Sequence, residues 1–271
     1  MNQHNQRFKN TGDTMNIDDA LTGRVVFHPR PEDRGYISKG IPTETISGDA
    51  VIGGYLHPAE GSDSLIVFFH GNGEIAADYD ELAPVYVESG ASFWAVDYRG
   101  YGRSTGFPSY SRMFSDAEAV AKDIPRIAEL ANHSFRYVFV MGRSLGSAPA
   151  IFLAAAHSHY FHGLILDSPF SDGLRLIARL GGPNLKEADM CGCINNIDRM
   201  LSCTLPTLII HGTDDYIIPI SDAEELLMAC KAEQKKLVKI RGAGHNDLLF
   251  RGFATYCAEI REYIVRITSG K

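Results

Sequence analysis

Residues 137–156 read YVFVMGRSLGSAPAIFLAAA. Tyr137 to Met141 is an apolar, β-branched and aromatic run, the composition of a buried strand, and it passes straight into Gly142. Gly146-Ser147-Ala148 then opens an Ala-rich segment with helical spacing that reaches residue 158. Ser144 therefore falls on a strand-to-helix turn inside G-x-S-x-G, the setting that lifts a nucleophilic serine above the end of a parallel strand. Gly142 and Gly146 have steric work there, because a tight turn tolerates no bulky neighbour and the helix must pack close to adjoining strands.

A second G-x-S-x-G lies in YGRSTGF (101–107), around Ser104. Its strand ends near Val96, a loop intervenes, and Pro108 obstructs any immediate helix. Ser104 is read as a loop serine making local hydrogen bonds, and Ser144 as the nucleophile.

Working outward, similar apolar runs recur at SLIVFFHG (64–71), SFWAVDYRG (92–100), GLILDSP (163–169), PTLIIHGTDD (206–215) and KLVKIRGAGH (236–245). Segments with helical spacing separate most of them, at 75–89, 112–131, 146–158 and 221–231, with a last one at 247–267. Near-continuous apolar strands alternating with helices indicate a mostly parallel sheet covered on both faces. Ahead of them GRVVFH (23–28) reads as a short strand, and TETISGDAVIGGYLHP as an antiparallel hairpin turning at Ser47-Gly48-Asp49. The expected fold is α/β and doubly wound, with an antiparallel N-terminal hairpin.

At 271 residues, 45% hydrophobic and 22% charged, the chain suits one large domain. The expected organisation is a polar tail over 1–16 and a single domain over 17–271, with a small insertion or lid at about 170–205. The 26 basic and 33 acidic side chains leave a net charge of −7, with no basic stripe to hold phosphates, so nucleic acid is not an expected partner. Five cysteines, an odd number, argue for reduced thiols in a cytoplasm-like compartment. The first residues lack the apolar core of a secretory signal, and no apolar run reaches the roughly 18 residues of a membrane span, so a soluble, cytoplasmic protein is expected.

A serine hydroxyl needs a base to take its proton and a carboxylate to orient that base, and the turn motif puts them in chain order serine, acid, histidine. Of the ten histidines only His245 lies beyond residue 211, in the Gly-rich loop RGAGHND after the last strand, and it is the expected base. Asp214 and Asp215 both follow LIIHGT at a strand end, while Asp167 ends the preceding strand. Asp215 is favoured over an outward-facing Asp214, with Asp167 as a buttress of the sheet end, although spacing alone does not separate the adjacent pair. The oxyanion calls for backbone donors: the N–H of Leu145 at the start of a helix, and that of Asn72 in the loop HGNGE (70–74), where His70 is read as a loop organiser. Glu74 and Asp78 are read as charges at a helix start. HSHYFH (157–162), and CGC (191–193) with Cys203, do not match a four-ligand zinc spacing, so no metal or other cofactor is expected.

Taken together, FFHGNGE, VDYRGYGRS, MGRSLGS, LILDSPF, PTLIIHGTDDYIIP and GAGHND resemble the α/β-hydrolase superfamily over about residues 23–268. Within it the chain is similar to small-lidded serine hydrolases that include membrane-associated protein depalmitoylases and uncharacterised bacterial members. The resemblance implies that the acid is the fifth residue of H-G-x-x-D, here Asp215, and that DYRGYGRS is a structural signature. Many members carry a membrane helix or lipidated cysteines ahead of the segment that here reads VVFHPRPE (25–32), where this chain has polar residues.

The expected activity is hydrolysis of a carboxylic ester or thioester through an acyl-enzyme, on a small-molecule or acylated substrate, with Ser144, His245 and Asp215 catalytic and Leu145 and Asn72 forming the oxyanion hole. The alternatives are an amidase or peptidase on the same residues, or a binding module with this fold. In the insertion, LRLIARL (174–180) sets Leu174, Ile177, Ala178 and Leu180 along one side of a short helix, which either packs fully onto the sheet or leans its apolar face over the site as part of an acyl pocket. A lid that small favours short to medium acyl groups.

Overall fold

The computed structural model describes residues 25–182 and 195–270. Eight strands form one sheet: β1 Ile41–Ser47, β2 Ala50–His57, β3 Ser64–Phe69, β4 Ser92–Val96, β5 Tyr137–Arg143, β6 Gly163–Asp167, β7 Thr207–Gly212 and β8 Lys235–Ile240, in the order β1-β2-β4-β3-β5-β6-β7-β8. β1, β2 and β4 pair antiparallel, and every pair from β4 onward is parallel. The expected α/β architecture and antiparallel start are both present. β3, β4, β6 and β7 are buried along their whole length, as their unbroken apolar runs require. β1, at the sheet edge, alternates buried and solvent-facing residues along its sequence IPTETIS.

Helices α1 Ala83–Glu88 and α7 Leu248–Thr268 pack together on one face. On the other, α2 Tyr110–Leu130, α3 Ser147–Ala156, α5 Asn196–Met200 and α6 Ile220–Ala229 contact one another in that order. The short α4 spans Gly173–Arg179. Among the described residues no helix is long and apolar enough to cross a membrane. Cys191 and Cys193 of CGC, and the 1–16 tail, lie outside the described residues.

Three local readings are corrected. The part of 23–28 that is described is not a strand: Val25 and Val26 are helical, and the His28 N–H donates to Asn72 Oδ1 (2.9 Å) and the Tyr101 hydroxyl (2.8 Å) rather than to a strand. Val26 and Phe27 are nonetheless buried in the core. The helix expected over 75–89 is broken into a 3₁₀ turn at Ala76–Tyr79 and the short α1. Pro84 sits in the first turn of α1, where its missing N–H has no partner to lose and its ring meets no carbonyl of a preceding turn, so the helix restarts there at little cost. In α4 it is Ile177 that is fully buried, while Ala178 faces solvent, so the expected apolar side is rotated.

The strand order reverses between β3 and β5. The chain leaves β3 toward β4 on one side and leaves β5 toward β6 on the other, which opens a crevice at their carboxyl ends. Loops on the β4 side are stapled by Arg99, whose guanidinium meets Asp116 of α2 (2.8 Å), Asp49 in the hairpin turn (2.6 Å) and the Ser47 carbonyl (2.8 Å). Removing one partner of a buried charge pair strands the other. Arg99→Met is expected to lower unfolding free energy by roughly 3 kcal/mol in a urea titration, and a loss below about 0.5 kcal/mol would contradict the staple.

Candidate active site

Ser144 follows the last residue of β5 and opens a 3₁₀ turn, Ser144–Gly146, that leads into α3. Its φ is +51°, a left-handed conformation that costs a non-glycine residue free energy. The reversal brings the start of α3 hard against the sheet. A Cβ on Gly142 would overlap the Gly146 carbonyl, and one on Gly146 would overlap the Phe69 carbonyl at the end of β3. Neither position admits a side chain, and the serine is held at the switch point of the sheet.

His245, in the loop between β8 and α7, places Nε2 2.9 Å from Ser144 Oγ and Nδ1 2.7 Å from Asp215 Oδ2. With the ring proton on Nδ1, the serine hydroxyl donates to Nε2 and the ring donates to the carboxylate. Asp215 Oδ1 accepts the amides of Ile217 (2.9 Å) and Ile218 (2.8 Å), and His211 Nε2 lies 3.4 Å from Oδ2. Burial alone would push the Asp215 carboxyl up, but hydrogen bonds from His211 and His245 outweigh it and hold the group well below the usual carboxylate range. Asp214 is exposed and accepts from Thr213 Oγ1 (2.7 Å), and Asp167 accepts from the Tyr256 (3.0 Å) and Ser168 (2.9 Å) hydroxyls without touching His245.

Ser104 lies elsewhere. Its hydroxyl accepts the Gly53 amide (2.8 Å) and donates to the Asp97 carbonyl (3.2 Å), binding its loop to β2.

Asn72 and Leu145 line the same cavity as Ser144 and His245, about 210 Å³ in volume. The Asn72 side chain is fixed from behind, Oδ1 accepting from the His28 N–H and the Tyr101 hydroxyl (both 2.9 Å or less). His70, fully buried, sets Nδ1 2.8 Å from the Gly71 carbonyl, and its own carbonyl accepts the Tyr98 hydroxyl at 2.7 Å. The apolar wall of the cavity comes from Val26, Leu176, Leu180 and Ile217, so the side of α4 that faces the serine carries Leu176 and not the expected Leu174 and Ile177.

Glu74 is more than a charge at a helix start. Its carboxylate accepts the Gly71 amide (2.7 Å) and the Tyr79 hydroxyl (2.6 Å) and pairs with Arg143, the residue before the serine. Arg143 Nη2 also donates to the His245 carbonyl (2.9 Å) and to Asn246 Oδ1 (3.4 Å). Burial works against the Arg143 charge, and the neighbouring carboxylate of Glu74 more than restores it. Arg143 was missed in the sequence because only its place inside G-x-S-x-G marked it. Two of the three histidines of HSHYFH serve the scaffold: His157 faces Glu118 (3.1 Å), and His162 Nδ1 accepts the Val138 amide (3.2 Å), while His159 is exposed. Among the described residues no cluster of His, Cys, Asp or Glu is arranged to hold a metal ion.

A family model described as serine aminopeptidase, S33, matches residues 60–185. Alpha/beta hydrolase domain-containing protein 17B of Xenopus tropicalis is 29% identical over 230 residues, spanning 83% of this chain and 74% of that protein. Its human counterpart is 28% identical over 228 residues, spanning 82% and 73%. Among solved structures, the esterase Pf2001 of Pyrococcus furiosus superposes with a TM-score of 0.73 at 19% identity, covering 89% of this chain and 99% of that one. A soluble variant of monoglyceride lipase from Saccharomyces cerevisiae gives 0.63 at 16% identity, covering 87% and 99%. These likenesses show the α/β-hydrolase fold, and the proteins the chain resembles include hydrolases.

The dihedral at Ser144 has a measurable cost. Glycine adopts positive φ freely, whereas alanine keeps the Cβ penalty, so Ser144→Gly is expected to be about 1 kcal/mol more stable than Ser144→Ala by urea unfolding. Equal midpoints for the two variants would mean that the turn relaxes and stores no strain.

Proposed function

We propose that the protein is a serine hydrolase that cleaves a carboxylic ester or thioester through an acyl-enzyme, without a cofactor. The reading rests on one observation above the rest: the unbroken contact from Ser144 Oγ through His245 to Asp215, at 2.9 and 2.7 Å, beside a cavity with an apolar wall. In this mechanism His245 takes the Ser144 proton as Oγ attacks the acyl carbon. Asp215, ionised and held by two backbone amides, keeps the imidazole in the required tautomer and stabilises the imidazolium. The amides of Leu145 and Asn72 receive the developing oxyanion. His245 then protonates the leaving group, and in the second half-reaction it deprotonates the water that releases the acid.

The acyl group sits against Leu176, Leu180 and Ile217. A cavity of about 210 Å³ lies below the roughly 300–1,000 Å³ of pockets that enclose drug-sized ligands, which supports short to medium acyl groups over long chains. A peptidase on the same residues is the second reading, favoured by the description of the family model that matches residues 60–185. Parallel assays on p-nitrophenyl esters, thioesters and amino-acid anilides separate the two, and faster turnover of anilides would select the peptidase.

The assignment of residues is tested directly with a fluorophosphonate, which reacts covalently with an activated serine. Wild type and Ser104→Ala are expected to label and Ser144→Ala is not. Asp215→Asn is expected to lower kcat on the order of 10⁴-fold if it follows the serine-protease template, whereas Asp214→Asn costs little. Labelling of Ser144→Ala at the wild-type rate would refute the nucleophile.

A further inference from the structure

A second cavity, also of about 210 Å³, lies against the relay. It opens between the loop after β3 and the loop that carries His245, and its apolar lining is Tyr79, Leu82, Tyr86, Leu248, Leu249 and Tyr256. Four residues line both this chamber and the one that holds Ser144: Glu74, Arg143, His245 and Asn246. These four form a single hydrogen-bonded unit, since Arg143 contacts Glu74, the His245 carbonyl and the Asn246 side chain. The partition between the chambers is Arg143 with its partners, and His245 borders both sides.

Acyl transfer needs two spaces around one imidazole. As Oγ bonds to the acyl carbon, the bond from that carbon to the leaving oxygen or sulfur breaks, its electron pair stays on the leaving atom, and the proton that His245 took from Ser144 goes to that atom. The leaving group must therefore lie beside His245 and apart from the acyl group. We propose that the second chamber is the leaving-group subsite, and that it takes a neutral or cationic aryl or short alkyl alcohol or thiol while rejecting an anionic one. The proposal rests on the serine-hydrolase reading above.

The lining sets the chemical class. Tyr79 spends its hydroxyl on Glu74 (2.6 Å) and Tyr256 on Asp167 (3.0 Å), while the Tyr86 and Tyr256 oxygens are 3.2 Å apart. Burial pushes all three phenols up, so they stay neutral and offer ring surface to a ligand. The carboxylates of Glu74, Asp78 and Asp167 also line the chamber, against Arg143 as its cation. Glu74 pairs with Arg143 and Asp78 with Arg30, while Asp167 accepts hydrogen bonds from the Tyr256 and Ser168 hydroxyls and shares the Arg143 charge with Glu74, so three carboxylates face two cations. The surplus carboxylate makes the lining net negative, so an incoming anion is repelled and a cation is attracted.

The test is a set of acetate esters run on the intact protein, with each rate divided by that ester's hydroxide rate. Neutral aryl and trimethylammoniophenyl acetates are expected to exceed carboxyphenyl acetate by about tenfold or more in kcat/KM, a discrimination typical of a shaped pocket. Leu249→Trp, which fills the chamber from its half-buried rim, is expected to lower the ratio of 2-naphthyl to methyl acetate turnover about tenfold, mainly through KM. Equal turnover of the anionic ester, or an unchanged ratio in Leu249→Trp, overturns the subsite. Fluorophosphonate labelling of the same samples keeps the two claims apart: without labelling of Ser144 the serine-hydrolase reading fails, and with labelling but a flat leaving-group profile the subsite alone fails.

Discussion

Ser144 presents its hydroxyl at the sheet end through a backbone held at φ +51°, and much of the surrounding structure answers to that dihedral. A chain reversal so sharp needs the first turn of α3 to lie directly against the ends of β3 and β5, which is why Gly142 and Gly146 have no room for a Cβ. β3 and β5 end level, with Phe69 opposite Gly142, so the loops that leave them emerge side by side. One loop carries the serine and the other carries Asn72. Strain of about 1–3 kcal/mol at such a residue persists only where the surroundings over-determine it, and here Ser144, Leu145 and Gly146 are all buried.

Buried charge is the second organising device, and it is spent on loops rather than on the core. Asp97, at the end of β4, accepts the Ala76 amide (2.7 Å) and the Arg103 amide (3.2 Å), joining the segment after β3 to the segment after β4. Arg99, two residues on, ties the hairpin turn to α2, and Tyr101 reaches Asn72. The stretch DYRGYGRS thus works as a frame behind the site, in which successive polar side chains each fix a different loop. Arg143 does the same on the other side, linking the loop of Glu74 to the loop of His245. The relay is held from two directions, and the only direct hold on it among these contacts is the one from Arg143 to the His245 backbone carbonyl.

How far the sequence could be read follows from the range of each interaction. The strand running into Gly142, the helix after Gly146 and the strand before His245 are encoded by neighbouring residues, so apolar runs and glycines revealed them. Pro84 was a local signal as well, since it marks the first turn at which the helix restarts within 75–89, a segment that apolar spacing alone described as continuous. Arg143 and Glu74 could not be paired in advance, because 69 residues separate them and either one alone reads as a solvated charge. The same holds for α4: helical spacing defines a stripe, but only the packing of α4 decides that Leu176 faces the cavity while Ile177 enters the core. Asp214 and Asp215 are alike in composition and spacing, and the difference between them is the turn that buries one against the amides of Ile217 and Ile218 and leaves the other in solvent.

The proposed reaction depends on covalent chemistry at one oxygen atom. Two chambers that share His245, a partition built on Arg143 and an apolar wall from α4 all describe how an ester would be divided around Ser144, and each presupposes that the acyl group is passed to it. The most direct measurement is rapid acid quench of the protein during turnover of p-nitrophenyl butyrate, followed by mass spectrometry of the digested chain. The expected result is a butyryl adduct on the peptide containing Ser144, decaying at the turnover rate and missing in His245→Ala. Sustained turnover with no adduct there, or an adduct on the Ser104 peptide instead, would contradict the account.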